Sequence, residues 1–179
     1  MQDYEKLAIR TENTDYAGIA NRLEKHADKI MPALNQAILA LQQLDYVVKK
    51  ECFYGKTPQP YQAPQFANTI EDEQRDVLHS KTFIRLLHGF MGMATETGEG
   101  LEALAQFFNT GKLDKTNLGE ELGDCFWYAA LIAEECQTSF ELEQEKNIRK
   151  LAHRHGEKFS DVKVMDRDLE GERNILEQP

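Results

Sequence analysis

The sequence has little of what stabilises small secreted domains or crosses membranes. Its 179 residues contain three cysteines, Cys52, Cys125 and Cys136, without a C-x-x-C pair. This number and spacing favour reduced thiols over a disulfide framework. No stretch approaches the roughly 18 uncharged apolar residues of a membrane-spanning helix, and the opening MQDYEKLAIR lacks the apolar core of a signal peptide. We therefore expect a cytoplasmic protein.

Basic residues are also scarce. The chain has 21 Lys and Arg against 31 Asp and Glu, a formal charge of −10. This balance argues against binding to a nucleic-acid polymer, because Lys and Arg are needed there to displace phosphate counterions. The 41% of hydrophobic residues is ordinary for one globular domain, which at this length buries a core without disulfides.

Strand signals are missing as well, since no β-branched run alternates with polar residues. Apolar residues instead recur at three- and four-residue steps over 19–48, 83–108 and 122–136. Because Pro32 suits the first turn of a helix, we predict either one kinked helix or two consecutive helices over this first stretch, ending near Lys50. A glycine and three prolines mark 53–68 as the main irregular segment. We predict an all-α fold, built as an antiparallel helix bundle.

Several helix boundaries follow from local signals. Gly111 is typical of a helix end, and Asn117 with Glu120 has the spacing of a capping box at the next helix start. The last strong helical pattern runs to about His153. The acidic tail beyond Ser160 has too few apolar residues to predict structure.

Two pairs of acidic residues have helical spacing. Glu96 and Glu99 are three residues apart on one predicted helix, and Glu121 and Asp124 repeat this spacing on the next. Each pair spans only about 60° of its helix, so antiparallel packing lets the four carboxylates converge. The apolar and aromatic neighbours of Asp124 are unusual for a solvated charge, although such pairs are common on exposed helix faces.

Converging carboxylates require a counter-charge. Without one they raise one another's pKa at a cost of several kcal/mol, whereas a hard divalent cation keeps them ionised. Mg²⁺, with Mn²⁺ as a substitute, is the natural candidate. Four glycines lie near the first pair of acids, which favours close helix packing or local irregularity there; they are Gly89, Gly92, Gly98 and Gly100.

One segment, 145–158, is locally basic. Within it Asn147, Lys150 and Arg154 have the spacing i, i+3 and i+7, which places them on one helix face. Lys and Arg there are suited to phosphate oxygens, with Arg able to bind in a bidentate manner. The alternative is a solvated amphipathic helix whose C-terminal cations interact with its dipole.

Three sequence blocks together resemble a known family. The E-x-x-E…E-x-x-D arrangement with EELGDCFWY, preceded by LLHGFMGMATETGE and followed by KNIRKLAHRHGEKFS, resembles the MazG-like all-α nucleoside triphosphate pyrophosphohydrolases over about 80–160. GKLDKTN and the opening YEKLAIRTE are similar to the phage-type branch. The resemblance implies a single domain over 1–160 with a helical insertion at about 13–78, followed by an acidic tail over 161–179.

The resemblance also implies an activity. This is hydrolysis of a nucleoside triphosphate, expected to be a deoxynucleotide, between the α- and β-phosphates, with Glu96 or Glu99 as general base. Glu96, Glu99, Glu121 and Asp124 would bind Mg²⁺, and Asn147, Lys150 and Arg154 would contact the triphosphate. The family implies a homodimer or a dimer of dimers, although the insertion leaves the oligomeric state open.

Three further residues are candidates for the nucleotide pocket. Tyr128 lies four residues after Asp124, and the adjacent Trp127 offers a second ring that can stack on a nucleobase. His88, eleven residues before Glu99, lies on nearly the same helix face. Core packing is the alternative for all three side chains.

Other protein classes fit the sequence less well. Di-metal carboxylate bundles of the ferritin type require Glu-x-x-His pairs, and the chain has none. The adjacent His-Asp pair of other helical phosphohydrolases is also absent. A non-catalytic helical interaction protein that keeps the fold is the remaining alternative, and the intact acids argue against it.

Overall fold

The structure is a computed structural model that describes residues 4–44, 64–67, 70–156 and 167–178. Its helices are α1 (Tyr4–Ala8), a 3-10 turn (Ile9–Thr11), α2 (Tyr16–Lys25), α3 (Ala27–Leu44), α4 (Asp72–Leu78), α5 (Lys81–Thr110), α6 (Lys115–Glu135), α7 (Phe140–His155) and α8 (Leu169–Glu177). No strand occurs in these ranges, so the predicted all-α class is confirmed. None of the described helices is both long and apolar enough to cross a membrane.

The chain divides into two compact units. The first comprises Met1–Arg22 and Glu73–Leu142, and the second comprises Leu23–Asp72 and Glu143–Pro179. The predicted domain boundaries, with a core over 80–160 and an insertion over 13–78, stay a prediction.

Helix α5 is bounded by two local signals. At its start the Ser80 hydroxyl accepts a hydrogen bond from the Phe83 backbone N–H at 3.1 Å. At its end Gly111 adopts a left-handed conformation with φ of 69° and donates its N–H to the Phe107 carbonyl, which confirms the predicted stop. Its 30 residues form one continuous helix.

Helix α6 begins earlier than the sequence signal indicates. The Asp114 carboxylate accepts hydrogen bonds from the backbone N–H groups of Thr116 and Asn117, each at 3.1 Å. Asp114 is therefore the N-cap, and the predicted capping box of Asn117 and Glu120 is wrong. Asn117 lies inside the first turn instead, where its side chain is available for other contacts.

Helices α5 and α6 pack against each other in antiparallel orientation. Contacts between Thr82 and Glu135 lie at one end of the pair, and Gly92 meets Tyr128 nearer its middle. A Cβ atom on Gly92 would lie 2.1 Å from the Tyr128 ring, whereas one on Gly98 would meet nothing within 4 Å. Close packing therefore explains Gly92, and similarly Gly89, but not the two later glycines.

The first unit also holds a buried charge network around Arg85. Its side chain is only 4% exposed and donates hydrogen bonds to Glu12 at 2.8 Å and to Glu135 at 2.7 Å. Glu134 is a third carboxylate partner. Burial alone would lower the pKa of Arg85, but the bonds to Glu12, Glu135 and Glu134 outweigh it and raise this pKa. The network links the N-terminal residues to α5 and α6.

In the second unit, the helix break lies at His26 between α2 and α3. Of the two arrangements predicted around Pro32, a new helix does not begin there, because α3 continues through Pro32. The amide of Asn35 exchanges two hydrogen bonds with the backbone of Phe66, at 3.0 and 2.8 Å. These bonds hold the chain around Phe66 against α3.

The acidic tail contains a helix, α8, which the sequence did not predict. Its N-cap is Asp168, whose carboxylate accepts from the Gly171 N–H at 2.9 Å. Glu172 is 3% exposed and is paired with Arg154 and Arg167. Two ion pairs therefore anchor this helix, one of them with Arg154 on α7, and apolar periodicity cannot reveal such contacts.

Candidate metal centre and aromatic cluster

The structure brings three of the four predicted acids together. Glu96 and Glu99 project from α5 and Glu121 from α6, and one carboxylate oxygen from each lies within 4.8 Å of the others. The antiparallel packing of the two helices produces this convergence. We call these three residues the carboxylate group.

Glu121 is the buried member of the carboxylate group, with 8% of its surface exposed. The side-chain amide of Asn117 donates a hydrogen bond to its Oε1 at 3.0 Å. Burial, followed by the neighbouring Glu96 carboxylate, raises the pKa of Glu121, and the bond from Asn117 opposes this only in part. Asn117 thus holds the Glu121 side chain in place, but it compensates the negative charge of the ionised carboxylate only in part.

Asp124 lies outside the carboxylate group, and its side chain is exposed. The expectation that its apolar neighbours bury it is wrong, because Phe126 and Leu122 are themselves exposed at 49% and 56%. Asp124 still acts on the same locality: burial, then the charges of Glu96, Asp124 and Glu99, raise the pKa of the Tyr128 hydroxyl. Its role as a fourth ligand stays a prediction.

The carboxylate group fits a small divalent cation. Mg²⁺ binds oxygen ligands at about 2.1 Å in octahedral geometry, so that two ligands are about 3.0 Å apart when adjacent and about 4.2 Å apart when opposite. The three oxygens, all within 4.8 Å of one another, would move closer together to bind one such ion. The donors are all carboxylate oxygens, which favour Mg²⁺ or Mn²⁺ over softer metals, and a cation would supply the charge that buried Glu121 lacks.

Three rings form an aromatic cluster beside these acids. His88, Trp127 and Tyr128 contact one another edge to face, with ring centroids 5.0 to 5.6 Å apart. Such geometry is the favourable one for aromatic pairs. The structure therefore unites the three residues that the sequence singled out for the nucleotide pocket.

Trp127 has a contact that its sequence neighbours do not indicate. Its indole N–H points to the backbone carbonyl of Ala8 at 2.7 Å and to the hydroxyl of Thr11 at 3.0 Å. These partners are more than 100 positions away in the chain, and no local periodicity reveals such a pair. The sequence analysis also did not predict the hydrogen bond between Asn117 and Glu121, although their i, i+4 spacing is a signal for such a contact.

The predicted phosphate-binding residues lie on α7 in the second unit. Asn147 is exposed, and Lys150 and Arg154 are half-buried. Arg154 donates two hydrogen bonds to Glu172, at 2.8 and 2.6 Å, and together with Arg167 it lowers the pKa of Glu172 to about 2. One edge of the Arg154 guanidinium is thus occupied by a carboxylate. The last two residues of the predicted basic segment, 157 and 158, lie outside the described residues.

Comparison with known protein families finds one similarity. Residues 89–159 match the profile of the MazG nucleotide pyrophosphohydrolase domain. This stretch carries the carboxylate group, Asp124, Trp127, Tyr128 and all of α7. No curated protein and no solved structure is significantly similar to the chain. The phage-type branch stays a prediction.

Proposed function

We propose that the protein is a Mg²⁺-dependent nucleoside triphosphate pyrophosphohydrolase that cleaves a triphosphate, preferably of a deoxynucleoside, into the monophosphate and pyrophosphate. The family match supports the class of reaction. The observation that carries the metal dependence is the convergence of Glu96, Glu99 and Glu121 within 4.8 Å. A merely solvated pair of helix faces would not place a buried carboxylate this close to two others.

The metal would be held by the carboxylate group, with Asp124 as a further ligand. When bound, Mg²⁺ neutralises charge on the triphosphate and polarises the phosphorus centre for attack. Asn117 keeps the Glu121 carboxylate oriented through its hydrogen bond, as ligand-supporting residues do in metal sites. Mn²⁺ is expected to substitute for Mg²⁺ because it accepts the same oxygen donors.

The residues of the chain then divide the remaining tasks. Glu96 or Glu99 serves as the general base that accepts a proton from the attacking water. Lys150 and Arg154, with the Asn147 amide, contact the phosphate oxygens. The aromatic cluster provides ring surface for the nucleobase.

We also propose that the chain assembles as a homodimer or a dimer of dimers. Large apolar side chains remain exposed at heptad-like spacing along one face of α5: Phe90 at 61%, Leu101 at 49%, Leu104 at 53% and Phe108 at 88%. An exposed apolar stripe of this kind marks an association surface. Light scattering coupled to size-exclusion chromatography tests the assembly, and a monomer at micromolar concentration would contradict it.

The activity is tested by incubating the purified full chain with a panel of canonical and modified nucleoside triphosphates and Mg²⁺. Chromatography with phosphorus NMR then identifies the products. We expect monophosphate and pyrophosphate from at least one substrate, and loss of this activity in Glu99→Ala/Asp124→Ala. Glu102→Gln, a change of an exposed acid on α5 outside the carboxylate group, is the matched control. Full activity in the double variant would contradict the proposal.

A further inference from the structure

The N-terminal residues of the first unit run along the helix that carries half of the candidate site. Helix α1 and the 3-10 turn, Tyr4–Thr11, pack against α6. We call Tyr4–Thr11 the N-terminal strap. It lies outside residues 89–159 that match the family profile, so the family match assigns it no role.

The strap takes up the polar group of Trp127. An indole ring has a single hydrogen-bond donor and no acceptor. In Trp127 that donor is shared by the Ala8 carbonyl at 2.7 Å and the Thr11 hydroxyl at 3.0 Å. The Trp127 N–H is therefore committed to the strap and does not read a ligand.

The ring of Trp127 in turn fixes two other rings. It meets Tyr128 at an interplanar angle of 87° and His88 at 64°, with centroids 5.0 and 5.6 Å apart. Tyr128 lies close enough to Glu96, Asp124 and Glu99 for their charges to act on its hydroxyl. Trp127 thus connects the strap on one side with the rings nearest the carboxylate group on the other.

The strap is also anchored at both of its ends. Glu12, the residue that follows it, accepts hydrogen bonds from buried Arg85 at 2.8 and 3.0 Å and from the Tyr16 hydroxyl at 2.8 Å. At the other end the Tyr4 ring contacts Phe140 at a centroid distance of 6.0 Å. The position of the Ala8 and Thr11 acceptors is therefore defined by contacts independent of Trp127.

We propose that Trp127 is a positioning residue through which the N-terminal strap fixes Tyr128 and His88 as the wall that receives the nucleobase, so that the strap determines base selectivity. This inference rests on the proposed function, because it assumes that a nucleoside triphosphate binds beside the carboxylate group. It assigns Trp127 an indirect role, in which its N–H binds the strap and its ring orients the neighbouring rings.

The test compares Trp127→Phe with wild type in the full chain. The variant keeps an aromatic ring but removes the donor to Ala8 and Thr11. Steady-state kinetics are measured for each deoxynucleoside triphosphate, and hydrogen exchange is followed at the amides of residues 4–11. We expect KM for the preferred substrate to rise several-fold, by at most about tenfold, because the rings are then less well held and the effect on binding is limited by the energy of the lost bond to the strap. We expect kcat to stay within about twofold and selectivity between bases to be reduced.

Two further variants make the result specific. Phe126→Leu alters the adjacent aromatic residue, whose side chain is 49% exposed, and is expected to leave KM and strap exchange unchanged. Thr11→Val removes one of the two acceptors without touching α6, and a KM increase of about twofold to threefold is expected because the Ala8 carbonyl remains. Thr11→Val also keeps Trp127, the only tryptophan of the chain. The fluorescence of Trp127 therefore measures nucleotide binding separately from turnover.

The outcomes separate the two proposals. Faster exchange of the strap together with raised KM and weakened base selectivity in Trp127→Phe supports the inference. Unchanged KM and selectivity in an active Trp127→Phe variant, or unchanged strap exchange, would overturn it while leaving the proposed function intact. A folded wild-type chain that hydrolyses no nucleoside triphosphate would overturn both.

Discussion

The ring of Tyr128 occupies the space that a side chain at Gly92 would need. A Cβ atom built on Gly92 lies 2.1 Å from Cε1 of Tyr128, well inside van der Waals contact. The absence of a side chain at Gly92 thus allows α5 and α6 to pack closely here. Gly92 lies one turn before Glu96 on α5, and Tyr128 lies two turns after Glu121 on α6, so this contact is close to the candidate site.

Gly92→Ala is therefore expected to destabilise the first unit. Displacing the Tyr128 ring costs about 1–3 kcal/mol of overpacking, and the better helix propensity of alanine returns at most about 1 kcal/mol. Gly100→Ala is the matched control, since a Cβ there meets nothing within 4 Å. It is expected to stabilise by up to about 1 kcal/mol. Urea unfolding measures both, and equal effects would contradict the packing described for Gly92.

Arg85→Met is expected to be strongly destabilising. The substitution leaves the buried carboxylate of Glu12, with Glu134 and Glu135, without the cation that compensates them. Removing one partner of a buried ion pair costs about 3–5 kcal/mol. Glu134→Gln is the control, because the Glu134 side chain is 49% exposed and its loss is expected to cost less than about 1 kcal/mol. A loss below about 1 kcal/mol in Arg85→Met would show that the network is not stabilising.

The pKa of Glu172 predicts an acid-dependent difference in stability. Arg154 and Arg167 lower this pKa from its ordinary 4.5 to about 2, so the stabilisation is complete above pH 4.5 and disappears as the pH falls through 2. Glu172→Gln is expected to be less stable than wild type by about 3 kcal/mol at pH 7, with the difference closing near pH 2. The exposed Glu170→Gln in the same helix is the control. Unfolding followed by circular dichroism at several pH values measures this difference, and a gap independent of pH would contradict the ion pairs.

Glu121 predicts the opposite pH dependence in metal-free protein. Burial and Glu96 raise its pKa, so its contribution to stability is complete below its ordinary pKa and is lost as the pH rises through the raised value. Glu121→Gln is thus expected to have a higher melting temperature than metal-free wild type at pH 8. Addition of Mg²⁺ should raise the melting temperature of wild type and not of the variant. An equal response of both proteins to Mg²⁺ would exclude the carboxylate group as the metal site.

The sequence predicts those features that depend on local periodicity. Helix α5 and its end at Gly111 follow from apolar spacing and a glycine signal, and the convergence of Glu96 with Glu121 follows from antiparallel packing across a short connection. The error at the start of α6 has a local cause as well. Asp114 and Asn117 are both good N-cap residues, and the sequence pattern does not rank them.

The remaining features depend on contacts between distant parts of the chain. Arg154 pairs with Glu172 on a helix that has little apolar signal, and Trp127 binds Ala8 across more than 100 positions. Asp124 was expected to be buried because its sequence neighbours are apolar. In the structure Asp124 is exposed, because the apolar residues next to it in the sequence, such as Phe126, are themselves exposed and do not cover it.

The most direct test of the account is the release of pyrophosphate by wild type and by Glu121→Gln, measured with Mg²⁺ over the same panel of nucleoside triphosphates. Glu121 is the buried member of the carboxylate group. The account predicts monophosphate and pyrophosphate from wild type, and a loss of roughly hundredfold or more in the variant, with Glu102→Gln unaffected. Release of orthophosphate alone by wild type, or pyrophosphate release by Glu121→Gln at the wild-type rate, would contradict it.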